Sequence, residues 1–356
     1  MKRSKKIKLE DRRNVLLIGR TGQGKSSLAN IIINDEKNFE EGGEIKEVFK
    51  ESGRSISQTK KAQTENVTLK IDVDGKKKNV RYKIIDTVGI DDTTLSKRKV
   101  LVEIAKGCKK VKRGINQILF VCGERLTPQE IEAYNILRRI LFDNKIDKDI
   151  TKYTTIIRTK FENFCSREEC ENDIQSLLKE KNEALIEMIQ SCDKRIIHLN
   201  TPSINIKGEG VQNQINVNKE ARKKARKILM NHLVTCKGIY KPESLDKIDK
   251  RIKDSLINET DKLQKQLEEL LEQERLYKLE RSISGSTLEK TKFSEELLKE
   301  RRKYIEIKEK IDETLKKMNE NEECIERGLF EAIGRGFDKL VEITARSAEN
   351  ALCSIS

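Results

Sequence analysis

Nine consecutive residues have the types and spacing of a loop that binds phosphate groups. They match the pattern G-x-x-x-x-G-K-[ST] and comprise Gly19, Arg20, Thr21, Gly22, Gln23, Gly24, Lys25, Ser26 and Ser27. Glycines let backbone N–H groups turn inward around phosphate oxygens and form an anion nest. In such a loop Lys25 reaches the β- and γ-phosphates, and the Ser26 hydroxyl is a magnesium ligand. The alternative is a tight strand-to-helix turn that holds no ligand.

The residues on either side of this loop favour phosphate binding. The apolar run Val15–Ile18 precedes the loop and predicts a strand over 14–19, and Leu28–Ile33 follows it and predicts a helix over 25–34. A strand, a glycine loop and a helix in that order direct the positive end of the helix dipole at the bound phosphate. The pattern therefore predicts a P-loop nucleoside triphosphate site.

A second motif, Asp86-Thr87-Val88-Gly89, follows two alternating apolar runs, Val67–Val73 and Val80–Ile85. The alternation and the turn between the runs predict a β-hairpin. At the end of its second strand Asp86 can hold magnesium, usually through a water molecule, and the Gly89 N–H can sense the γ-phosphate.

The polar stretch from Asp35 to Asn66 lies where a switch segment would be expected. Such a segment needs a hydroxyl that reaches magnesium in one state and releases it in the other. Thr59 is the first candidate, and Ser57 and Thr64 remain alternatives. The predicted metal ligands are therefore Ser26, Thr59 and Asp86, and the residues expected to take part in catalysis are Lys25, Thr59 and Gly89.

Strands and helices alternate through the rest of the first 240 residues, which predicts an α/β fold with a mostly parallel sheet and helices on both faces. Ligands of such folds bind at the carboxyl ends of the strands. The Thr127–Phe142 helix is expected to begin with a capping box formed by Thr127 and Glu130. The further predicted elements are strands Gln117–Cys122, Tyr153–Arg158 and Arg195–Leu199, and helices Thr127–Phe142, Glu168–Gln190 and Asn218–Cys236.

The composition fits one α/β domain followed by a long charged region. The chain has 356 residues, 38% of them charged, with three prolines and a net charge of +14. Residues 240–356 carry 24 Lys and Arg against 27 Asp and Glu, so the excess of positive charge lies in residues 1–239. That surface could favour anionic membranes or polyphosphates, although a solvated lysine-rich surface explains most of it. No specific nucleic-acid partner is expected.

The eight cysteines form no CxxC pair, and there is neither a secretory signal nor a run of about 18 apolar residues. We therefore expect free thiols and a cytoplasmic location, peripheral on a membrane at most. Cys165 with Cys170, or His232 with Cys236, could offer metal ligands, but no set of four is visible.

These motifs together resemble a guanine-nucleotide-binding domain of the TRAFAC P-loop class. Residues 12–238 are more narrowly similar to the immune-associated nucleotide-binding (GIMAP-like, AIG-type) GTPases. The segment Gly123-Glu124-Arg125-Leu126-Thr127-Pro128-Gln129-Glu130 resembles that family's G-R-[FY]-T-x-E segment, and long charged helices follow the domain.

The resemblance implies GTP or GDP with Mg²⁺ as ligands, and further site residues. Thr159, Lys160 and Glu162 occupy the [NT]-K-x-D loop that binds guanine, with glutamate in place of aspartate. The carboxylate would accept hydrogen bonds from guanine N1–H and the 2-amino group, while Lys160 packs along the base. Asn200 lies where the family has a second base-contacting Asn, although it could equally be an ordinary strand-end cap. The family also implies that GTP-bound domains pair face to face and that hydrolysis follows pairing.

One departure concerns hydrolysis. Ras-like GTPases orient the attacking water with a Gln after D-x-x-G, and this chain has Ile90 there, followed by Asp91 and Asp92. Intrinsic hydrolysis is therefore expected to be slow unless a second chain supplies a group. Arg20 could act across a dimer, but it is more often a solvent-facing loop residue.

The chain is predicted to have four parts: a basic arm (1–13), the G domain (14–238), a helical hairpin or coiled coil (239–324) and an amphipathic C-terminal helix with its tail (325–356). Heptad spacing of Leu256, Leu263 and Leu270 supports the third part, with a bend near 282–287. The amphipathic helix could lie on a membrane or on the other helices. The last four residues, beginning at Cys353, match a prenylation signal, although a cysteine at that position can also arise by chance.

Two functions fit this organisation. One is a slow GTPase whose bound GTP orders the switch segments and drives dimerisation or assembly. The other is a weakly hydrolysing scaffold whose coiled coil is the working part. An ATP-dependent kinase would need an acceptor site, and the sequence shows none.

Overall fold

The computed structural model describes residues 12–40, 42–51, 59, 61–73, 76–91, 97–111 and 114–284. Several sequence predictions lie outside these ranges: the basic arm before residue 12, Ser57, Asp92, the hairpin turn, residues 285–287 of the 282–287 bend, the amphipathic segment and Cys353. The chain divides into two compact units, residues 1–252 and residues 253–356.

The first unit is an α/β domain, as the sequence predicts. Its strands are β1 (Arg12–Gly19), β2 (Gln63–Val73), β3 (Lys76–Asp86), β4 (Gln117–Cys122), β5 (Thr154–Arg158) and β6 (Ile196–His198). They form one six-stranded sheet in the order β2-β3-β1-β4-β5-β6. Only the β2–β3 pair is antiparallel, as expected for the hairpin. Because the other strands run parallel, their carboxyl ends share one edge.

In the described part of the chain, five helices lie between strands and two follow the last strand. They are α1 (Lys25–Ile33), α2 (Lys97–Lys109), α3 (Pro128–Ile136), α4 (Arg167–Lys179), α5 (Glu183–Ser191), α6 (Gln212–Thr235) and α7 (Ile248–Ser284). Short 3₁₀ turns lie at Glu36–Phe39, Lys148–Tyr153 and Ser244–Lys247, and a π turn lies at Leu137–Leu141. Strands β4 and β5 are buried along their whole length, which explains the apolar run Ile118–Cys122 in β4.

Three helix predictions differ from the structure. The Glu168–Gln190 helix is two helices, because the Asn182 side chain accepts a hydrogen bond from Leu185 N and starts α5. The closing helix starts at Gln212 instead of Asn218. The capping box at Thr127 is wrong: the Thr127 hydroxyl donates to the Glu130 carboxylate at 2.6 Å and caps no backbone N–H.

The first unit extends beyond the expected end at residue 238. Tyr240 pairs with Ile115 through two backbone hydrogen bonds. The buried Asp147 carboxylate accepts hydrogen bonds from the Tyr240 hydroxyl and from the backbone and hydroxyl of Ser244. Residues 239–247 are therefore held on the α/β domain.

The described part of the second unit, residues 253–284, is helical and belongs to α7. Pairing of this helix with another segment stays a prediction. Within the described residues no helix has a stretch apolar enough to cross a membrane.

Candidate nucleotide-binding site

A cavity of ≈ 530 Å³ opens at the carboxyl edge of the sheet. Residues from the loops after β1, β3, β5 and β6 line it, together with side chains of α1 and α6 and the segment before residue 52. The lining consists of Thr21, Gly22, Gly24, Lys25, Ser26, Ser27, Lys50, Glu51, Thr59, Gly89, Thr159, Lys160, Thr201, Ser203, Asn205, Lys207 and Arg222.

The loop between β1 and α1 has the conformation of an anion nest. Gly24 precedes α1 with φ +87°, a left-handed conformation that side chains rarely adopt. Lys25, 6% exposed, donates from Nζ to the carbonyl oxygens of Gly19 at 3.1 Å and Arg20 at 2.8 Å. The ammonium group is thus drawn over the loop, on the side of the cavity.

Three oxygen-bearing side chains meet beside Lys25. Ser26 Oγ donates to Asp86 Oδ2 at 2.7 Å and lies 3.3 Å from Thr59 Oγ1. The alternative Thr64 lies on β2, where it accepts a hydrogen bond from Lys110 Nζ at 2.8 Å. Of the two candidates that the structure describes, Thr59 and Thr64, it is therefore Thr59 that lies beside Ser26.

The environment of Asp86 fits a divalent cation. The carboxylate is fully buried, and its Oδ1 atom has no hydrogen-bond partner in the described part of the chain. Burial raises the pKa of Asp86 to about 6, and Lys25 and the Ser26 hydroxyl only partly oppose this. Hydroxyl and carboxylate oxygens are hard ligands of the kind that Mg²⁺ prefers. Among the described residues, no cluster of three His, Cys, Asp or Glu side chains suited to a metal occurs.

Gly89 packs directly against the phosphate loop. A Cβ atom on Gly89 would lie 2.1 Å from Thr21 Oγ1 and 2.5 Å from Thr21 N, so a side chain has no room there. The next residue, Ile90, donates its N–H to the Gly19 carbonyl at 3.2 Å. The segment that follows β3 is therefore seated on the loop that follows β1.

Arg20 is held within its own chain and does not face solvent freely. Its Nε and Nη2 atoms both lie 2.7 Å from Asp91 Oδ2, and Nη1 donates to Glu130 Oε2 at 2.9 Å. Asp91 Oδ1 in turn accepts the backbone N–H of Thr21 at 2.8 Å. The expectation of a solvent-facing arginine is wrong, because two carboxylates flank the guanidinium group.

Glu130 binds two side chains of the phosphate loop, a role that the sequence did not predict. Its carboxylate is almost completely buried and accepts hydrogen bonds from Arg20, from Thr127 and, at 3.1 Å, from Gln23 Nε2. Thr159 adds a second support: its hydroxyl lies 3.0 Å from the Gln23 carbonyl and 2.9 Å from the Cys122 carbonyl. The position of Glu130 in the family-like segment was the available signal.

Of the residues that the resemblance assigns to guanine binding, two line the cavity and two do not. Thr159 and Lys160 line the cavity, and Lys160 has a left-handed backbone with φ 60°. Glu162 is exposed, and neither it nor Asn200 is part of the lining. The lining at this end comes instead from the loop after β6, at Thr201, Ser203, Asn205 and Lys207.

A buried ion pair, also missed, forms the wall beside this loop. Arg222 on α6 donates from Nη1 and Nη2 to the Glu51 carboxylate at 2.9 and 2.6 Å, and from Nε to the Pro202 carbonyl at 2.7 Å. Burial alone would raise the pKa of Glu51, but its bonds to Arg222 and to Asn30 and Ser27 hold that pKa below its ordinary value. The Ser27 hydroxyl donates a hydrogen bond to Glu51 Oε2 at 2.8 Å.

Two asparagines, Asn30 in α1 and Asn34 directly after it, fix the segment that carries Glu51. Asn30 donates to the Phe49 carbonyl at 2.7 Å and accepts the Phe49 N–H at 2.9 Å. Asn34 makes the same pair of contacts with Lys46, at 2.9 and 2.8 Å. These amides bind the segment as a neighbouring strand would, so the residues leading into the switch segment are anchored to the helix of the phosphate loop.

Comparisons with known proteins agree with this architecture. A model of the AIG1 family matches residues 13–235. Immune-associated nucleotide-binding protein 7 of Arabidopsis thaliana is 30% identical over 143 residues, 40% of each chain. Immune-associated nucleotide-binding protein 9 of the same plant is 26% identical over 190 residues, 53% of this chain and 48% of the relative. The chain thus spans less than half the length of these two relatives.

A solved structure was described with the statement "Dimerization is important for the GTPase activity of chloroplast translocon components atToc33 and psToc159". It aligns with a TM-score of 0.34 at 17% identity, over 61% of this chain and 83% of that one. A TM-score this low does not establish a shared fold. The family match covers more than half of the chain and includes every element that lines the cavity, so the chain belongs to the AIG1 family and its α/β domain is the AIG1-type domain with its P-loop.

Proposed function

We propose that this chain binds GTP with magnesium, hydrolyses it slowly and uses the bound nucleotide as a switch for dimerisation or assembly. The observation that carries the proposal is the meeting of Ser26, Thr59 and Asp86 beside Lys25, with the Asp86 Oδ1 atom buried and unpartnered. Buried polar atoms are normally hydrogen-bonded, so a buried carboxylate oxygen without a partner needs an explanation. A P-loop that no longer bound nucleotide would have no need to keep such an oxygen.

Each group has a role in the proposed site. Lys25 would exchange its two carbonyl contacts for β- and γ-phosphate oxygens, and the loop N–H groups would cradle the phosphates. Ser26 and Thr59 would be the protein ligands of magnesium, with Asp86 beside them. When bound, magnesium neutralises phosphate charge and polarises the γ-phosphate.

Slow hydrolysis follows from Ile90. Its side chain is 9% exposed and apolar, so it has no atom that can orient an attacking water. Arg20 is occupied by Asp91 and Glu130, and it would have to leave both before it could act on a second chain. We therefore propose that pairing of two domains provides the missing group.

Guanine is the proposed base, read by Glu162 and packed against Lys160. Support comes from the family, from the place of Lys160 in the cavity lining and from the exposure of both side chains, which leaves them accessible to a base. Asn205 and Ser203 add polar groups on the same side.

The test starts with the nucleotide that the purified full-length chain retains, identified by chromatography after denaturation. Calorimetric titration with GTP, GDP and ATP in the presence of magnesium follows. We expect GTP and GDP to bind more tightly than ATP. Folded protein that binds none of the three would overturn the proposal.

Hydrolysis is then measured as a specific rate over a range of protein concentrations. We expect the rate per chain to rise where dimers form, as measured in parallel by light scattering. A specific rate that stays constant across that range would contradict catalysis by paired domains while leaving GTP binding intact.

A further inference from the structure

A carboxylate of the chain itself, that of Asp91, contacts the phosphate loop in this structure. Asp91 Oδ1 accepts the Thr21 N–H at 2.8 Å, and Asp91 Oδ2 lies 2.7 Å from two nitrogens of Arg20. Thr21 and Arg20 both belong to the loop whose donors are expected to face phosphate. A side chain of this protein therefore uses a backbone donor and a cation of the anion-binding loop.

Arg20 is anchored independently of Asp91. The nearly fully buried Glu130 holds the opposite side of the guanidinium group at 2.9 Å, and Glu130 is itself fixed by Gln23 and Thr127. In contrast, the Asp91 side chain is 38% exposed. Of the three charged groups, Asp91 is the one that can leave without uncovering a buried charge.

The position of Asp91 in the chain connects it to the γ-phosphate. It lies two residues after Gly89, which packs on Thr21 and whose N–H is expected to meet a γ-phosphate. A nucleoside triphosphate would bring a further negative group to this segment, whereas a diphosphate would not. Two anions near one guanidinium group repel each other, and the partly buried setting keeps that repulsion strong.

We propose that Asp91 determines the preference between nucleoside diphosphate and triphosphate. Its carboxylate, held by Arg20 and Thr21, favours the diphosphate form, and the third phosphate must displace it. This inference rests on the proposed nucleotide-binding function, and it assigns to Asp91 a choice between two ligands of that site.

The test compares the affinities of the full-length chain for GDP and for a non-hydrolysable GTP analogue, both with magnesium, by calorimetry. Asp91→Asn removes the charge and keeps the shape, so we expect the ratio of triphosphate to diphosphate affinity to rise about tenfold. Asp91→Ala should raise the ratio similarly, whereas Asp91→Glu, which keeps the charge, should leave it close to wild type.

A control separates this effect from any loss of surface charge. Asp249 is an exposed aspartate paired with Lys109 and does not line the cavity, so Asp249→Asn should leave the ratio unchanged. Thermal unfolding of each variant confirms that it is folded. A change that weakens the binding of both nucleotides equally leaves the ratio of triphosphate to diphosphate affinity unchanged.

The outcomes are distinct. If the wild type binds both nucleotides and Asp91→Asn leaves the ratio unchanged, this inference is wrong and the proposed function stands. A variant with an unchanged ratio but a slower single-turnover rate would show that Asp91 acts on the attacking water instead, which also overturns the inference. If the wild type binds neither nucleotide, both proposals fail.

Discussion

The two ends of the cavity are built in different ways. At the phosphate end, a single run of nine residues provides the loop, Lys25 and Ser26, and Thr59, Asp86 and Gly89 join them from elsewhere in the chain. At the base end, the wall combines Glu51, Arg222 and the loop after β6, three regions far apart in the sequence. The first depends on local backbone geometry and the second on tertiary packing.

This difference predicts different consequences of mutation. Substitutions at the phosphate end should remove binding while the domain stays folded, because the affected groups face a ligand. Substitutions in the base-end wall should first reduce stability, because they leave a buried charge without its partner. Five experiments test this contrast, in order of expected effect.

The largest effect is expected for Arg222→Ala. It leaves the Glu51 carboxylate, 12% exposed in its side chain, without its bidentate partner. We expect the free energy of unfolding to fall by about 4 kcal/mol, measured by chemical denaturation. Lys223→Ala is the control on the same helix: its contact with Glu40 is long and partly exposed, and we expect less than about 1 kcal/mol.

The same ion pair predicts a pH dependence. Because the pKa of Glu51 is lower in the folded chain than its ordinary value of 4.5, the pair stabilises the fold above that value, and the contribution is lost as pH falls through the folded pKa. The stability difference between wild type and Glu51→Gln should therefore shrink below pH 4.5. If the stability difference between wild type and Glu51→Gln stays constant with pH, the charge of the Glu51 carboxylate does not stabilise the fold.

Lys25→Ala should abolish nucleotide binding without unfolding the domain. It removes the charge opposite the β- and γ-phosphates, and we expect GTP affinity to fall by at least about a hundredfold, which corresponds to about 3 kcal/mol. Calorimetry gives the affinity and circular dichroism the fold. Lys152→Ala, which alters an exposed lysine outside the cavity lining, is the control, and unchanged GTP affinity in Lys25→Ala would refute the phosphate-loop assignment.

Asp86→Ala should act on magnesium more than on the nucleotide. We expect the magnesium-dependent part of GTP affinity to fall about tenfold, since a carboxylate beside the cation is lost, while GDP binding without magnesium changes less. The measurement is the ratio of affinities with and without magnesium. Equal losses in both conditions would mean that Asp86 does not support a metal.

Glu162 is expected to give the smallest change. Glu162→Ala should reduce the preference for GTP over ATP, and Glu162→Asp, which restores the family's shorter carboxylate, should raise it about threefold. Competition binding with both nucleotides measures the ratio, and Glu171→Asp on α4 serves as a control at an exposed helix position. If neither change at Glu162 moves the ratio, base recognition belongs to the residues after β6.

The sequence by itself determined the fold class and the order of the motifs. Alternating apolar runs identified the hairpin β2–β3 and the parallel strands, and the strand–loop–helix context located the phosphate loop. These features are predictable because each depends on neighbouring residues: a glycine allows a turn, and an apolar run predicts a buried strand. Helix limits were less accurate, since the break before α5 depends on the single cap at Asn182.

Only the tertiary structure decided which polar side chains serve the site. Glu130 meets Gln23 across 107 residues, and Arg222 meets Glu51 across 171 residues. In the sequence Glu130 looked like a helix cap and Arg222 like one of many basic residues on α6. Each is buried with its partners, and a buried charge is retained only where folding brings donors and acceptors together from distant segments. No local pattern contains that information.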